Sequence, residues 1–270
     1  MKTVKGLHEK MGTFENANTS FHQAARCKRY TNEVLAFSMV KEEELLRATE
    51  EIQNLTYRQG EYKIFKVFEP KERLIMALPF YDRVVQHMIC NAIQPVFENG
   101  FYYHSYACRS GKGMHAASDT LYQWMYETEV KQGLRMYAFK GDISKYFASI
   151  PHDKLKDENR RYIGDKKALM LMDDIIDHNG ILPDGVGIPV GNLTSQLFAN
   201  VYGNKLDKFC KHVLHIPYFV RYMDDFIILS DDLEQLKEWV KRIEEFLENE
   251  MLLHINPKST ILYAGNGIDF

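Results

Sequence analysis

The chain has 270 residues, 45% hydrophobic and 26% charged, a composition that excludes disordered and fibrous classes and can supply a sizeable core. No apolar run approaches the roughly 20 residues that span a bilayer, and the opening MKTVKGLHEKMGTFENANTS lacks the apolar segment of a signal peptide, so a cytoplasmic protein without membrane contact is expected. The net charge of -3 hides an uneven distribution: Arg58, Lys63, Lys66, Lys71, Arg73, Arg83, Arg109 and Lys112 outnumber the acids between Thr56 and His115, whereas Asp231 to Glu250 is acidic.

Residues 1 to 55 read as helical, with apolar and charged positions alternating at helical period. A hairpin follows, with strands about Tyr62 to Phe68 and Arg73 to Leu78 and a turn at Glu69-Pro70-Lys71-Glu72. YDRVVQHMICNAIQPVFENG has the spacing of a buried helix ended by Asn99-Gly100, and GKGMHAASDTLYQWMYETEV suggests another after a glycine-bounded loop. LRMYAFKGDI returns to strand. One helical stretch is expected over about Asp153 to His178, ended by Asn179-Gly180, then the loop LPDGVGIPVG and a helix in LTSQLFANVYGNKLDKFC. Leu233, Leu236, Val240, Ile243 and Leu247 give the acidic run a helical apolar stripe. The four cysteines form no C-x-x-C pair, so neither a zinc knuckle nor a disulfide framework is indicated.

The stretch FVRYMDDFIILS sets two adjacent carboxylates between runs of strand-forming residues. Successive side chains of a strand face opposite sides, so two adjacent acids inside a buried strand would leave one carboxylate unpaired in the core. Met223, Asp224 and Asp225 therefore read as a hairpin tip between the arms Phe219 to Tyr222 and Phe226 to Leu229. Acids so close repel unless a cation shares them. A third acid, Asp142, ends the strand Met136 to Phe139 and its Gly141 extension, as either a helix cap or a partner in catalysis. Three carboxylates on neighbouring strand ends can hold two Mg²⁺ ions about 4 Å apart, the geometry that clamps both oxygens of in-line phosphoryl transfer. By its residues alone SYACRSGKGMHAA reads as a loop.

RYMDDF with the upstream GDISKYFASI resembles the palm of a reverse transcriptase, and further motifs follow the family order. VFEPKERLIMALPFYDRVVQHMI resembles the fingers motif, GIPVGNLTSQLFANVY the template-side motif, LHINPKST the lysine-bearing motif and GIDF the entry to the primer grip. The resemblance implies an α+β right-hand polymerase. Fingers with an N-terminal helical extension would occupy residues 1–117 and 151–190, the palm 118–150 and 191–264, and the primer grip would start at 265–270, where a thumb would begin. It implies metal ligation by Asp142, Ile143, Asp224 and Asp225, with two Mg²⁺ ions or Mn²⁺ as substitute. It implies nucleotide contacts from Lys63, Lys71, Arg73, Phe147, Val190, Gly191, Gln196, Tyr222 and Met223. Arg73 matches the triphosphate-binding arginine, Phe147 the aromatic that excludes a 2′-hydroxyl, and Lys258 the lysine that protonates departing pyrophosphate. For SYACRSGKGMHAA the resemblance implies that the glycine amides, with Arg109 and Lys112, offer a track for a phosphate backbone. The residues alone leave Phe147 open as a core phenylalanine and Lys258 as a solvated lysine.

Where retroviral and group II intron enzymes usually carry Gln-Gly and then Ser-Pro, this chain has Val190-Gly191, NLT and Ser195-Gln196. That pattern resembles reverse transcriptases of diversity-generating retroelements. The alternatives are a phage-defence or group II lineage and a catalytically silent RNA-binding scaffold. The resemblance implies a template RNA, a DNA or RNA primer, dNTPs and a small basic accessory protein as partners, with errors concentrated at template adenines.

Overall fold

The computed structural model describes residues 3–68 and 72–268. The chain divides into two compact units, one of Met1–Gly100 with Pro151–Phe198, the other of Phe101–Ile150 with Ala199–Phe270. These boundaries differ from the expected ones. Residues 101–117 join the second unit because Ser105 bridges Arg221 and the backbone of Tyr106 donates to the Arg221 carbonyl at 2.9 Å. Residues 191–198 fall in the first.

In the first unit, helices α1 (Leu7–Met11), α2 (Phe14–Ala24), α3 (Asn32–Met39) and α4 (Lys41–Gln53) realise the helical N-terminal reading. They pack with α5 (Phe80–Glu98), whose Val84, Val85, Met88, Ile89, Ile93 and Phe97 are buried at helical spacing. Phe21, Phe37 and Phe80 form a closed aromatic triangle with ring centroids 5.1 to 6.0 Å apart. Strands β1 (Lys63–Phe68) and β2 (Glu72–Ala77) pair antiparallel; the expected turn residues Glu69, Pro70 and Lys71 lie outside the described residues.

The single helical stretch expected over Asp153 to His178 is two helices, α8 (His152–Tyr162) and α9 (Lys166–Asp177). The sequence around Gly164-Asp165 supplies the break. Asp165 caps α9 by accepting from Lys167 and Ala168, and its second oxygen accepts from Leu7 and His8 at the start of α1. Five consecutive apolar residues, Ala168 to Met172, hide the change of phase between the buried faces of α8 and α9, which is why periodicity alone misses the break.

The second unit is built on a four-stranded antiparallel sheet of order β4-β5-β3-β6, from β3 (Tyr137–Asp142), β4 (Tyr218–Tyr222), β5 (Asp225–Ser230) and β6 (Thr260–Tyr263). Met136, Ala138, Val220, Ile227 and Leu229 meet Ala117 and Leu121 of α6 (Met114–Met125) in one apolar cluster. A four-residue turn of helix, α7 (Tyr146–Ser149), follows β3, and α11 (Leu233–Phe246) packs on β3 and β5. Helix α10 (Leu193–Lys208) runs out of the first unit into the second, where its residues from Ala199 onward pack. The cysteines are all free thiols, Cys90 and Cys210 buried, Cys27 and Cys108 exposed. Among the described residues no helix is long and apolar enough to cross a membrane.

Candidate active site

The site begins with strand register in the second unit. β5 lies between β4 and β3, and Asp225 stands opposite both Tyr222 of β4 and Asp142 of β3. Directly opposed residues of an antiparallel pair share a face with Cβ atoms roughly 4.5–5.5 Å apart. The register therefore gathers Asp142 and Asp225, which lie 83 positions apart in sequence. The hairpin tip is shorter than expected: only Met223 and Asp224 form the turn, and Asp225 belongs to the ladder. Met223 has φ of 60°, in the left-handed region that two-residue hairpin loops normally assign to glycine or asparagine. A bulky L-residue held there costs about 1–3 kcal/mol and persists only where its surroundings enforce it. The Asp224 carbonyl accepts from the Ile143 N–H at 3.2 Å, which ties the turn to the end of β3.

Asp142 is oriented by a segment far along the chain. Its Oδ2 accepts from Asn256 Nδ2 at 2.6 Å, its carbonyl accepts from the Asn256 N–H at 2.7 Å, and its own N–H donates to Ser259 Oγ at 3.1 Å. Asn256 Oδ1 in turn accepts from the Lys258 N–H at 3.1 Å, closing a side-chain turn before Pro257-Lys258. Asn256 is a site residue that the sequence reading passed over; its signal was the Asn-Pro turn chemistry inside LHINPKST. Lys258 itself is exposed. Asp142, Asp224, Asp225 and Tyr222 are half-buried, while Met223 is buried and meets its surroundings through its carbonyl. Phe147 is half-buried on α7, edge-on to buried Tyr146 at 5.9 Å.

Hard divalent cations prefer oxygen donors, and three carboxylates at strand ends, half open to solvent, fit that chemistry. Ile143 is buried and has only its backbone carbonyl to add. Among the described residues no group of three or more His, Cys, Asp and Glu side chains is gathered into a ready-made metal cage. The backbone places the three acids; their side chains would have to turn together to share an ion.

The loop cations are used differently from the expected phosphate track. Arg109 Nη1 donates to the carbonyls of Tyr102 and Ser105 at 2.8 and 2.7 Å, and Lys112 Nζ donates to the Tyr103 carbonyl at 3.0 Å while lying 3.5 Å from the Tyr103 ring centroid. They shape the loop beside β4. His104 packs against Trp124 and Tyr106; its burial, with Lys112 and Lys211 nearby, lowers its pKa to about 4.

In the first unit, Lys63 and Arg73 project from the same face of the β1–β2 hairpin, since Lys63 opposes Ala77 and Arg73 opposes Val67. Both are exposed. Lys66 points to the other face and pairs with Glu72 at 2.6 Å, and Lys71 lies outside the described residues. The Val190 carbonyl accepts from the Met76 N–H of β2 at 3.1 Å. Gly191 follows at φ 116°, where a Cβ would meet Ile75 at 3.1 Å, so both conformation and space call for glycine. Gln196 sits in the first turn of α10, its N–H donating to the Asn192 carbonyl. Lys63, Arg73, Val190, Gly191 and Gln196 thus belong to one unit and the carboxylates to the other.

The family described as "Reverse transcriptase (RNA-dependent DNA polymerase)" matches residues 66–269. Protein YkfC of Escherichia coli is 25% identical over 235 residues, covering 70% of this chain, and the chain spans 59% of its length. An uncharacterized 91 kDa protein in the cob intron of Schizosaccharomyces pombe is 29% identical over 137 residues, 49% of this chain and 16% of that protein. Among solved structures, apo telomerase from Candida tropicalis superposes with a TM-score of 0.57 at 14% identity, over 79% of this chain and 52% of that one. At that identity the likeness speaks for the fold alone, a mixed α+β polymerase fold of fingers and palm.

Proposed function

We propose that this chain, which belongs to the reverse transcriptase (RNA-dependent DNA polymerase) family, extends a primer along an RNA template by transferring nucleotides from dNTPs. The observation that carries the reading is the register that opposes Asp142 to Asp225 with Asp224 in the adjoining turn. Divalent cations held there, Mg²⁺ or Mn²⁺, would supply the Lewis acidity that lowers the pKa of the attacking hydroxyl and neutralises leaving pyrophosphate. Asp142, steadied by Asn256, presents carboxylate charge from β3, and Asp224 and Asp225 present theirs from the hairpin. Arg73 and Lys63, on one face of their hairpin, supply the charge and geometry to grip triphosphate oxygens. Phe147 stands as the steric filter for the sugar, and Lys258, exposed beside Asn256, as proton donor to pyrophosphate. Primer extension on RNA with Mg²⁺ tests the reading. Asp142→Asn and Asp224→Asn should each abolish nucleotide addition while leaving the fold intact; residual polymerisation by both sinks it.

The finer reading is a diversity-generating enzyme, error-prone at template adenines and assisted by a small basic protein. It rests on Val190 and Gln196, which replace a glutamine and a proline and so remove one polar contact and one rigid one from the template-side loop. Lost contacts worth about 1–3 kcal/mol change selectivity roughly 10- to 100-fold. The relative named for its place in the cob intron favours a rival, intron-encoded lineage. Sequencing the cDNA decides between them: an error spectrum equal across the four template bases removes the diversity-generating assignment.

A further inference from the structure

Arg221 is the residue just before Tyr222 in the strand that feeds the carboxylate-bearing turn, and it is fully buried. A buried guanidinium is tolerated only when its charge is paired and its five N–H groups are all satisfied. Here they are. Nε donates to Asp207 Oδ1 at 2.6 Å and Nη2 to Asp207 Oδ2 at 2.8 Å, a two-pronged pair with a carboxylate that is itself fully buried. Nη2 also donates to Ser105 Oγ at 3.2 Å, and Nη1 to Asn200 Oδ1 at 3.4 Å. The fifth donor, on Nη1, reaches the Met223 carbonyl at 2.9 Å.

The supporting wall is the polar face of α10. Asn200, Gly203 and Asp207 recur at helical spacing, and a Cβ on Gly203 would lie 2.6 Å from Arg221 Nη1 and 2.7 Å from its Cζ. The guanidinium therefore rests on helix backbone with no room to shift toward α10. Burial works against both charges and pushes the Asp207 carboxyl above its ordinary pKa, while the facing carboxylate holds Arg221 above its own, and the two-pronged contact is what offsets the desolvation. The position of Arg221 follows from α10, and the direction of the Met223 carbonyl follows from Arg221.

That carbonyl belongs to the peptide joining Met223 to Asp224, at the residue whose backbone occupies the left-handed region. Rotating this peptide is the low-cost way for a two-residue turn to relieve such strain, and it would swing Asp224 relative to the ladder that holds Asp225. We propose that Arg221, held by Asp207, is a positioning residue that locks the Met223–Asp224 peptide and so places the Asp224 carboxylate for catalysis. The inference rests on the proposed role of Asp224, but the conformational lock can be measured without it.

The decisive variant replaces the pair as a unit, Arg221→Met with Asp207→Leu, because apolar substitution of both partners of a buried ion pair leaves stability near its original value or raises it. A purely structural pair is thereby made good, whereas the bond to the Met223 carbonyl is lost. Hydrogen bonds to charged groups shift equilibria about 10- to 100-fold. Amide hydrogen exchange at Asp224 and Asp225 should accelerate by that factor, kcat for primer extension should fall similarly, and KM for primer–template should stay within about twofold. A stably folded double variant with wild-type exchange at the turn and wild-type kcat overturns the proposal. Should the double variant fail to fold, Arg221→Lys, which keeps the charge but lacks the planar fork, is judged by the same two readings. A wild-type protein that extends no primer refutes the functional reading, while turn exchange still decides the lock.

Discussion

Replacing Gly203 by alanine sets two opposing effects against each other. Inside a helix, alanine is favoured over glycine by about 1 kcal/mol, so the substitution would stabilise α10 if space allowed. Space does not allow it: the new Cβ would lie 2.6 Å from Arg221 Nη1, 2.7 Å from Cζ and 2.9 Å from the Tyr146 hydroxyl. Tyr146 is anchored by donating to the Ala199 carbonyl at 2.7 Å, and Arg221 is held on every donor, so neither neighbour can retreat cheaply. Overpacking costs about 1–3 kcal/mol, and displacing the guanidinium from Asp207 enough to break the buried pair costs about 3–5 kcal/mol. With the propensity gain set against a partly broken pair, Gly203→Ala should lose about 2–4 kcal/mol. For a chain of this size that is a fall in Tm of roughly 5–15 °C. Differential scanning calorimetry reads it directly, and single-turnover primer extension should show a parallel loss of rate. A Tm equal to or above wild type would refute the argument, because it would mean that the guanidinium yields to a methyl group at no cost.

Asn256→Ala removes the amide that donates to Asp142 Oδ2, and at a half-buried carboxylate it should lower kcat by about tenfold with little change in Tm; an unchanged single-turnover rate would return Asn256 to a turn-forming role. Under the proposed role of Phe147 as a steric filter, Phe147→Ala should raise ribonucleotide use relative to deoxyribonucleotide use, read as a ratio of kcat/KM values; an unchanged ratio would return Phe147 to packing against Tyr146. His104, with its pKa lowered to about 4 by burial and by Lys112 and Lys211, binds fewer protons folded than unfolded between about pH 6.5 and 4. Its contribution to stability is therefore present at pH 7 and is lost as pH falls through that window. The urea midpoint of wild type should drop more from pH 7 to pH 5 than that of His104→Gln, and equal drops would contradict the burial argument.

Sequence patterning determined the parts of this protein governed by neighbours within a turn or two. Alternating apolar runs around two acids mark the β4–β5 hairpin, a 3.6-residue apolar period marks α5 and α11, and Asn99-Gly100 marks the end of α5. Local signals failed where two local readings were degenerate: the apolar run Ala168 to Met172 masks the change of phase at the Gly164-Asp165 break, and Asp225 reads as turn until its ladder partners are known. Only the tertiary structure decided which residues meet the acids. Asn256 reaches Asp142 across 114 positions, and Arg221 is held by Ser105 across 116. Arg221 in particular looks like an ordinary strand charge in sequence, since nothing local distinguishes a solvated arginine from one sealed in the core. What tells them apart is the desolvation cost, which is met only when Asp207, Asn200, Ser105 and the Met223 carbonyl converge from separate segments. The three carboxylates could be picked out as candidates because that needs only residue types; their positioning could not, because it depends on bonds that exist only after the sheet and α10 have packed.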